Sequence, residues 1–369
     1  MTASAPPTSF AAQLGHSFTR SWLNVLLIAV PLSWVAAIYS HASMLVFVGA
    51  ALSLVPAAGL IGDATEDLSL RAGPTMGGLL NATFGNAAEL IIAFVALRAH
   101  HTEVVKASLT GSILGNLLLV FGLSCFAGGL KHGSQRFNRT AAGSATVMLV
   151  LAVVALVMPA AVDLFAFGSL NARPEVVQRL SEWTAIVLLI VYCAGLVFAF
   201  TTNRDPLRAG TRAKPRLSSA AAITLLGIGT VVTTIQAELL VGALEPAMRQ
   251  FGMTELFAGV IVIALVGNAA EHYSAVQAAL DDEMTLALEI SIGSSAQIAL
   301  MVAPVLVLAS SALGEPMSLV FNAFEITAVI LSVAVVVLVA MDGESNWLEG
   351  LQLLGVYCIL GAAFYLIPA

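Results

Sequence analysis

Apolar residues run along this chain in long blocks separated by short polar hinges, and the block lengths predict helices. The blocks lie at 22–39, 44–62, 74–97, 107–129, 141–162 and 183–202, and after a linker at 217–244, 255–280, 284–312, 317–341 and 347–368. Runs of ~18 or more nearly uncharged residues suit a hydrocarbon layer about 30 Å thick. There a helix satisfies its own backbone N–H and C=O groups. The pattern predicts an all-α polytopic membrane protein of about eleven transmembrane helices. The block at 217–244 is long enough to tilt, or to surface near Glu238.

Composition agrees, with 10% of residues charged and 59% apolar, far from the roughly 25% charged of a soluble domain. The net charge of −7 gives no reason to expect a nucleic-acid partner; the expected partner is the lipid bilayer, and a homo-oligomer is compatible with it. Cys125, Cys193 and Cys358 lie in apolar blocks without a CxxC spacing and read as packing residues. The first block has only Arg20 as a charged flank and no convincing small-residue cleavage site, so it reads as a helix and not a signal peptide.

The stretch 203–216 carries Arg204, Arg208, Arg212, Lys214 and Arg216 and reads as a basic cytoplasmic linker. The chain then divides into a tail and extra first helix (1–43), a first five-helix repeat (44–202), the linker, and a second five-helix repeat (217–369). With the N-terminus inside, 10 of the 15 Lys and Arg residues fall on the cytoplasmic side, the direction that basic residues follow. The C-terminus is then outside, and a bacterial inner (plasma) membrane is the expected location, with a vacuolar-type membrane the alternative.

The repeat is explicit. Gly85-Asn86-Ala87-Ala88-Glu89 recurs 182 positions on as Gly267-Asn268-Ala269-Ala270-Glu271, and Gly111-Ser112 recurs at the same offset as Gly293-Ser294. The first copy lies in the third predicted helix and the second in the eighth. Five helices is an odd number, so the copies cross the membrane in opposite senses. Inverted repeats of this kind place their site near the midplane where the halves meet.

An ionisable residue at a helix centre costs ~2.5–3.5 kcal/mol on insertion scales, so its default reading is functional. Asn86 and Asn268 precede Glu89 and Glu271 by three and share a helix face with them. Gly85, Gly267 and the neighbouring alanines allow close backbone approach, and glycine permits an interrupted helix whose carbonyls face an ion. Ser112, Asn116, Ser294, Ser295 and Gln297 add hydroxyl and amide oxygens. Such an oxygen-only set suits Ca²⁺, which takes about 6–8 oxygens in a flexible cage. His272 points about 100° away from Glu271 and reads as a proton-handling neighbour. Glu66 and Glu238, near span ends, are candidates for ion or proton entry; Glu289 and Glu325 are intramembrane but unduplicated.

Two carboxylates neutralise one Ca²⁺. Without the ion, two facing carboxylates in low dielectric repel and lose solvation, which favours their protonated forms. Exchange of one Ca²⁺ for about two protons follows, with Glu89 and Glu271 as the proton-coupling groups. Ca²⁺ is then cargo and H⁺ the coupling ion, and no resident cofactor is expected.

The segments Thr65-Glu66-Asp67, Gly73-Pro74-Thr75, Gly78 to Ile91, Gly267 to His272 and Gly293 to Leu300 resemble the two signatures of the cation/proton exchanger branch of the calcium/cation antiporter superfamily. The resemblance runs from about Ala64 to Gly350. It implies an extra first helix, two inverted five-helix repeats and Ca²⁺ export driven by protons. It also implies that an acid typical of sodium-coupled members is replaced here by Asn116 and Gln297, which favours protons. Many relatives carry an acidic regulatory helix between the halves; here the linker is short and basic. The rival readings are a sodium-coupled or other cation (Na⁺, K⁺, Mn²⁺) antiporter and a passive cation channel lined by Glu and Asn. An enzyme has only the Glu271-His272 adjacency behind it, with no second His at i+4 and no nucleophile–base pattern.

Overall fold

The computed structural model describes residues 9–40, 43–168, 173–201 and 215–367; most of the expected linker, 203–214, lies outside the described residues. In chain order the helices are α1 (Phe10–Arg20), α2 (Ala29–Val35), α3 (Ser43–Phe84), α4 (Ala87–Arg98), α5 (Thr102–Leu114), α6 (Phe121–His132), α7 (Arg139–Phe167) and α8 (Pro174–Thr201). They continue as α9 (Ser219–Gly242), α10 (Leu244–Phe251), α11 (Glu255–Phe257), α12 (Ala264–Gly267), α13 (Ala269–Leu280), α14 (Met284–Gln297), α15 (Ala303–Leu313), α16 (Ala323–Ala340) and α17 (Trp347–Leu366). Short π-helical stretches at Gly115–Val120, Ala258–Ile263 and Ile298–Val302 join α5 to α6, α11 to α12 and α14 to α15.

Side chains at the hinges explain many of the ends. Asn138 caps α7 and Ser218 caps α9, while Asn322 with Glu325 and Asn346 with Glu349 form capping boxes on α16 and α17, meeting the orphan N–H groups of each first turn. Gly168 and Gly314 close α7 and α15 in the left-handed region.

Nine continuous helices among the described residues are long and apolar enough to cross a membrane. The two expected spans missing from that set, 74–97 and 255–280, are those that carry the repeated motif. Both are interrupted at it, the first at Gly85-Asn86 and the second at Asn268.

The chain forms two compact units, one of residues 1–95 and 193–247 and the other of 96–192 and 248–369. Each five-helix repeat therefore contributes to both. In the first unit α3 packs along α9 through buried Leu60, Ala64, Ala221, Ala222 and Leu225, with Leu14 and Phe18 of α1 against them. The hinge expected at 63–73 is instead helical, continuing the second span to Gly73. Its polar groups have partners distant in sequence: the Asp67 carboxylate accepts from the Arg216 and Leu217 N–H groups, both at 2.9 Å, and Arg71 donates to the Leu217 carbonyl. The chain turns only at Gly73 (φ 83°, ψ 176°), a conformation open to glycine. α1, absent from the hydropathy reading, is tied down by Gln13, which accepts from Ser218 N–H at 2.8 Å.

The element bounds make the repeat structural. α4 and α13 match at both ends at the offset of 182, and α5 and α14 begin at Thr102 and Met284, α6 and α15 at Phe121 and Ala303. The only non-glycine residues with positive φ among those described are His100 (64°) and Asp282 (63°), again 182 apart. Ser295 Oγ lies 3.5 Å from the carbonyl of Ile113, its own repeat mate. A residue touching its mate lies near the axis relating the copies, as in any self-complementary two-fold contact.

Among the described residues, hinges of the second unit meet at matching ends. Lys131 donates to the Leu280 carbonyl at 2.6 Å, Gln135 to Asp282 at 2.8 Å, and Arg136 pairs with Glu344 at 3.0 Å. There β1 (Gln135–Arg136) pairs antiparallel with β2 (Glu344–Ser345). At the other end His100 meets Glu315 at 2.9 Å and Ser311 donates to Glu182 at 2.8 Å. Each contact joins hinges or neighbouring helix ends that alternating crossings put on one side of the membrane.

The closest backbone approach among the described residues is at Gly111, where an added Cβ would lie 2.0 Å from the Val260 carbonyl oxygen. Gly111→Ala is expected to cost about 1–3 kcal/mol by overpacking and to lower the melting temperature in detergent by several degrees. Gly355→Ala, which meets nothing within 4 Å, should leave it unchanged; equal melting of all three proteins would contradict this packing.

Candidate cation site

The helix break at each motif follows from its residues. Asn268 leaves helical geometry (φ −97°, ψ 4°) between α12 and α13, and an Asn tolerates this because its amide can replace lost backbone partners. Here its Nδ2 adds a second bond to the Ala264 carbonyl at 2.8 Å, which also accepts the Asn268 N–H at 3.1 Å. The same nitrogen donates to Ser112 Oγ on α5 at 2.8 Å, and its Oδ1 accepts from Asn116 Nδ2 at 3.4 Å. Asn268, Asn116 and Ser112 are 1%, 0% and 5% exposed. One amide thus fastens the broken helix to α5 and to the π-helical stretch after it.

Glu271 stands in the first turn of α13, where the N-terminal end of a helix favours negative charge. Ser294 of α14 hydrogen-bonds to its carboxylate. Its Oε2 is buried with no hydrogen-bond partner among the described residues, and the same holds for Asn116 Oδ1. These two oxygens and the Ser294 hydroxyl are hard oxygen donors of the second unit near the break. The described residues hold no group of three or more His, Cys, Asp or Glu that could bind a metal, so any site here relies on amide and hydroxyl oxygens beside carboxylate. That donor set suits a hard cation such as Ca²⁺ and not zinc.

The other expected residues fall as follows. Ser295 is fully buried and donates to the Ser291 carbonyl at 3.0 Å. Gln297 is half-buried where α14 passes into the π-helical stretch Ile298–Val302, and Gly267 ends α12. His272 Nε2 is buried with no hydrogen-bond partner among the described residues. In the first unit Gly85 and Asn86 form the turn before α4, Asn86 is 1% exposed, and Glu89 is half-buried in the first turn of α4. Glu66 and Glu238 lie inside α3 and α9 and are exposed, while Glu289 is half-buried in α14.

Two carboxylates are differently placed from what hydropathy suggests. Asp163 is fully buried within α7, just past the predicted end of its span. Glu325 is 2% exposed at the start of α16. The signal for Asp163 was a lone acid in an apolar run; for Glu325 it was an Asn three residues earlier, the mark of a capping box.

A family model described as sodium/calcium exchanger protein matches residues 42–201 and 221–366. The chain is 43% identical over 365 residues to a Ca(2+)/H(+) antiporter of Synechocystis sp., covering 93% of this chain and 97% of the relative. It is 41% identical to the Ca(2+)/H(+) antiporter ChaA of Bacillus subtilis, covering 94% and 99%. Among solved structures, native YfkE superposes with a TM-score of 0.82 at 41% identity, covering 94% of this chain and 100% of that one. The H+/Ca2+ exchanger CAX shares the fold, with a TM-score of 0.71 at 15% identity, covering 95% and 93%.

The bonds of Asn268 set an order of stabilities. Asn268→Ala removes three side-chain hydrogen bonds and leaves buried Ser112 and Asn116 with lost partners, at about 1–3 kcal/mol. Ser112→Ala leaves the Ala264 and Asn116 bonds in place and should cost less. Thermal melting in detergent tests the ranking, and Ser112→Ala melting below Asn268→Ala would refute it.

Proposed function

We infer the function from one premise: the chain belongs to the sodium/calcium exchanger protein family. Within it the chain is a Ca²⁺/H⁺ antiporter, and the observation that carries this is likeness to antiporters of that name over nearly the full length of both chains. It is an integral membrane transporter.

We propose that Glu89 and Glu271 both serve the transported ion, on the strength of their duplication and of the half-buried first-turn position each occupies. Asn116, Ser294 and the oxygens around Asn268 contribute neutral donors. Two carboxylates neutralise Ca²⁺ or take up about two protons, so both loaded forms of the site carry no net charge and the half-loaded forms do. In low dielectric this disfavours crossing with a partial load, and the two ions exchange by alternating access. Asn116 and Gln297 add no further acid, which keeps the charge sum at two. We place the N-terminus, the linker and the hinges at 131–139, 281–283 and 342–346 in the cytoplasm, supported by the Lys and Arg distribution, and the C-terminus outside, in a bacterial plasma membrane. Ca²⁺ then leaves the cell as protons enter.

Proteoliposomes loaded at acid pH should take up ⁴⁵Ca²⁺ from a neutral medium, because protons leaving drive Ca²⁺ in. Collapsing the pH gradient should stop this, and a Na⁺ gradient should not replace it. Glu89→Gln and Glu271→Gln should each lower uptake by at least about 100-fold, since site charge sets Ca²⁺ affinity. Full uptake in either variant would remove that glutamate from the site, and uptake indifferent to the pH gradient would remove the proton coupling.

A further inference from the structure

Unit two holds a second buried carboxylate system apart from Glu271. Glu325 Oε2 accepts from Asn322 N–H at 3.1 Å and closes the capping box of α16. That duty needs an acceptor oxygen and no charge, so a glutamine would serve it. The other oxygen, Oε1, accepts from the hydroxyl of Thr110 on α5 at 3.1 Å. Thr110 is 2% exposed and stands two residues before Ser112, the partner of Asn268. Within one turn α5 therefore touches both Glu325 and the candidate cation site.

The same helix leads outward. Glu103, Lys106 and Thr110 are spaced three and four apart and share a face. The Glu103 and Lys106 side chains, 69% and 10% exposed, pair at 3.1 Å. Exposure falls stepwise along α5 from the hinge at His100-His101 to Glu325. The charged groups facing Glu325 are Glu103 and Lys106; Val153, Leu156 and Val157 of α7, with Phe321, Ile326, Val329 and Ile330, line an apolar cavity beside it. A carboxyl here can change charge without contacting the cation, with Lys106 to balance its anionic form.

We propose that Glu325 is a proton station of the exchange, reached from the hinge through the Glu103–Lys106 pair and coupled through Thr110 to the α5 turn that holds Asn268. The step is a proton transfer alone. A carboxylate oxygen of Glu325 gains an O–H bond as hydronium at the hinge loses one, and the reverse transfer restores both. This proposal rests on the proton-coupled reading above.

The test compares two fluxes in the same proteoliposomes, ⁴⁵Ca²⁺ uptake driven by a pH gradient and ⁴⁵Ca²⁺/Ca²⁺ self-exchange at uniform pH. Glu325→Gln keeps the cap, so self-exchange should stay within about twofold of wild type. Gradient-driven uptake should fall about tenfold or more, the scale of losing a proton-transferring side chain, and its pH profile should flatten. Thr110→Val leaves the capping box untouched and should move the same ratio in the same direction, which keeps the proposal testable where the Gln variant folds poorly. Equal loss of both fluxes, or loss of neither, overturns the proposal and leaves the antiport reading standing. Absence of gradient-driven uptake in the wild type overturns both, and is seen before any variant is made.

Discussion

Inside hydrocarbon, a polar group that lacks a partner has no water to fall back on, and the architecture of this chain follows from meeting that condition. A broken helix frees backbone groups, and an acid at the break carries a charge, each costly by itself. At the second motif the two costs are met together. The Asn268 side chain adds a hydrogen bond to the Ala264 carbonyl and ties the break to Ser112 and Asn116. Its neighbour Glu271 sits where the helix N-terminal end favours an anion. The interruption is also the joint that fastens α12 and α13 to α5.

The same condition governs the hinges. Acids and bases that would be stranded at helix ends find partners on other hinges of the same side. Arg136 finds Glu344, Gln135 finds Asp282, and Asp67 takes two backbone N–H groups at the start of α9. Isolated surface ion pairs contribute little stability. Their value here is geometric, since each fixes where a span ends and so the depth at which its intramembrane residues lie.

Much of this was legible in the sequence because it depends on local pattern. Block length gave the spans, and the literal return of Gly-Asn-Ala-Ala-Glu gave the repeat. That reading is borne out down to the paired backbone angles at His100 and Asp282. The helix breaks were legible as a possibility that glycine permits, though not that Asn268 would carry the compensating bonds. What stayed hidden depends on partners far along the chain. The stretch 63–73 has the composition of a hinge and is helical because residues about 150 positions away, Arg216 and Leu217, satisfy Asp67. α1 is amphipathic and too short to register as a span; it is held by the start of α9. Thr110 and Glu325 are 215 residues apart, and no spacing rule joins them.

The structure also redistributes roles within the motif. From sequence, the two asparagines beside the glutamates are the natural ligands and Asn116 a lining residue. In the second unit Asn268 already gives both its donor directions and one acceptor direction to the protein, whereas Asn116 Oδ1 and Glu271 Oε2 are buried without a hydrogen-bond partner among the described residues. Leaving a buried acceptor unmade is expensive, and a native site tolerates it where something else completes the coordination. On the proposed reading a cation or a proton would complete the Glu271 carboxylate, and a cation the Asn116 amide oxygen. The duplicated asparagine is then better understood as the brace of the broken helix. The unduplicated Asn116, one helix away, is the amide whose oxygen is left without a hydrogen-bond partner among the described residues.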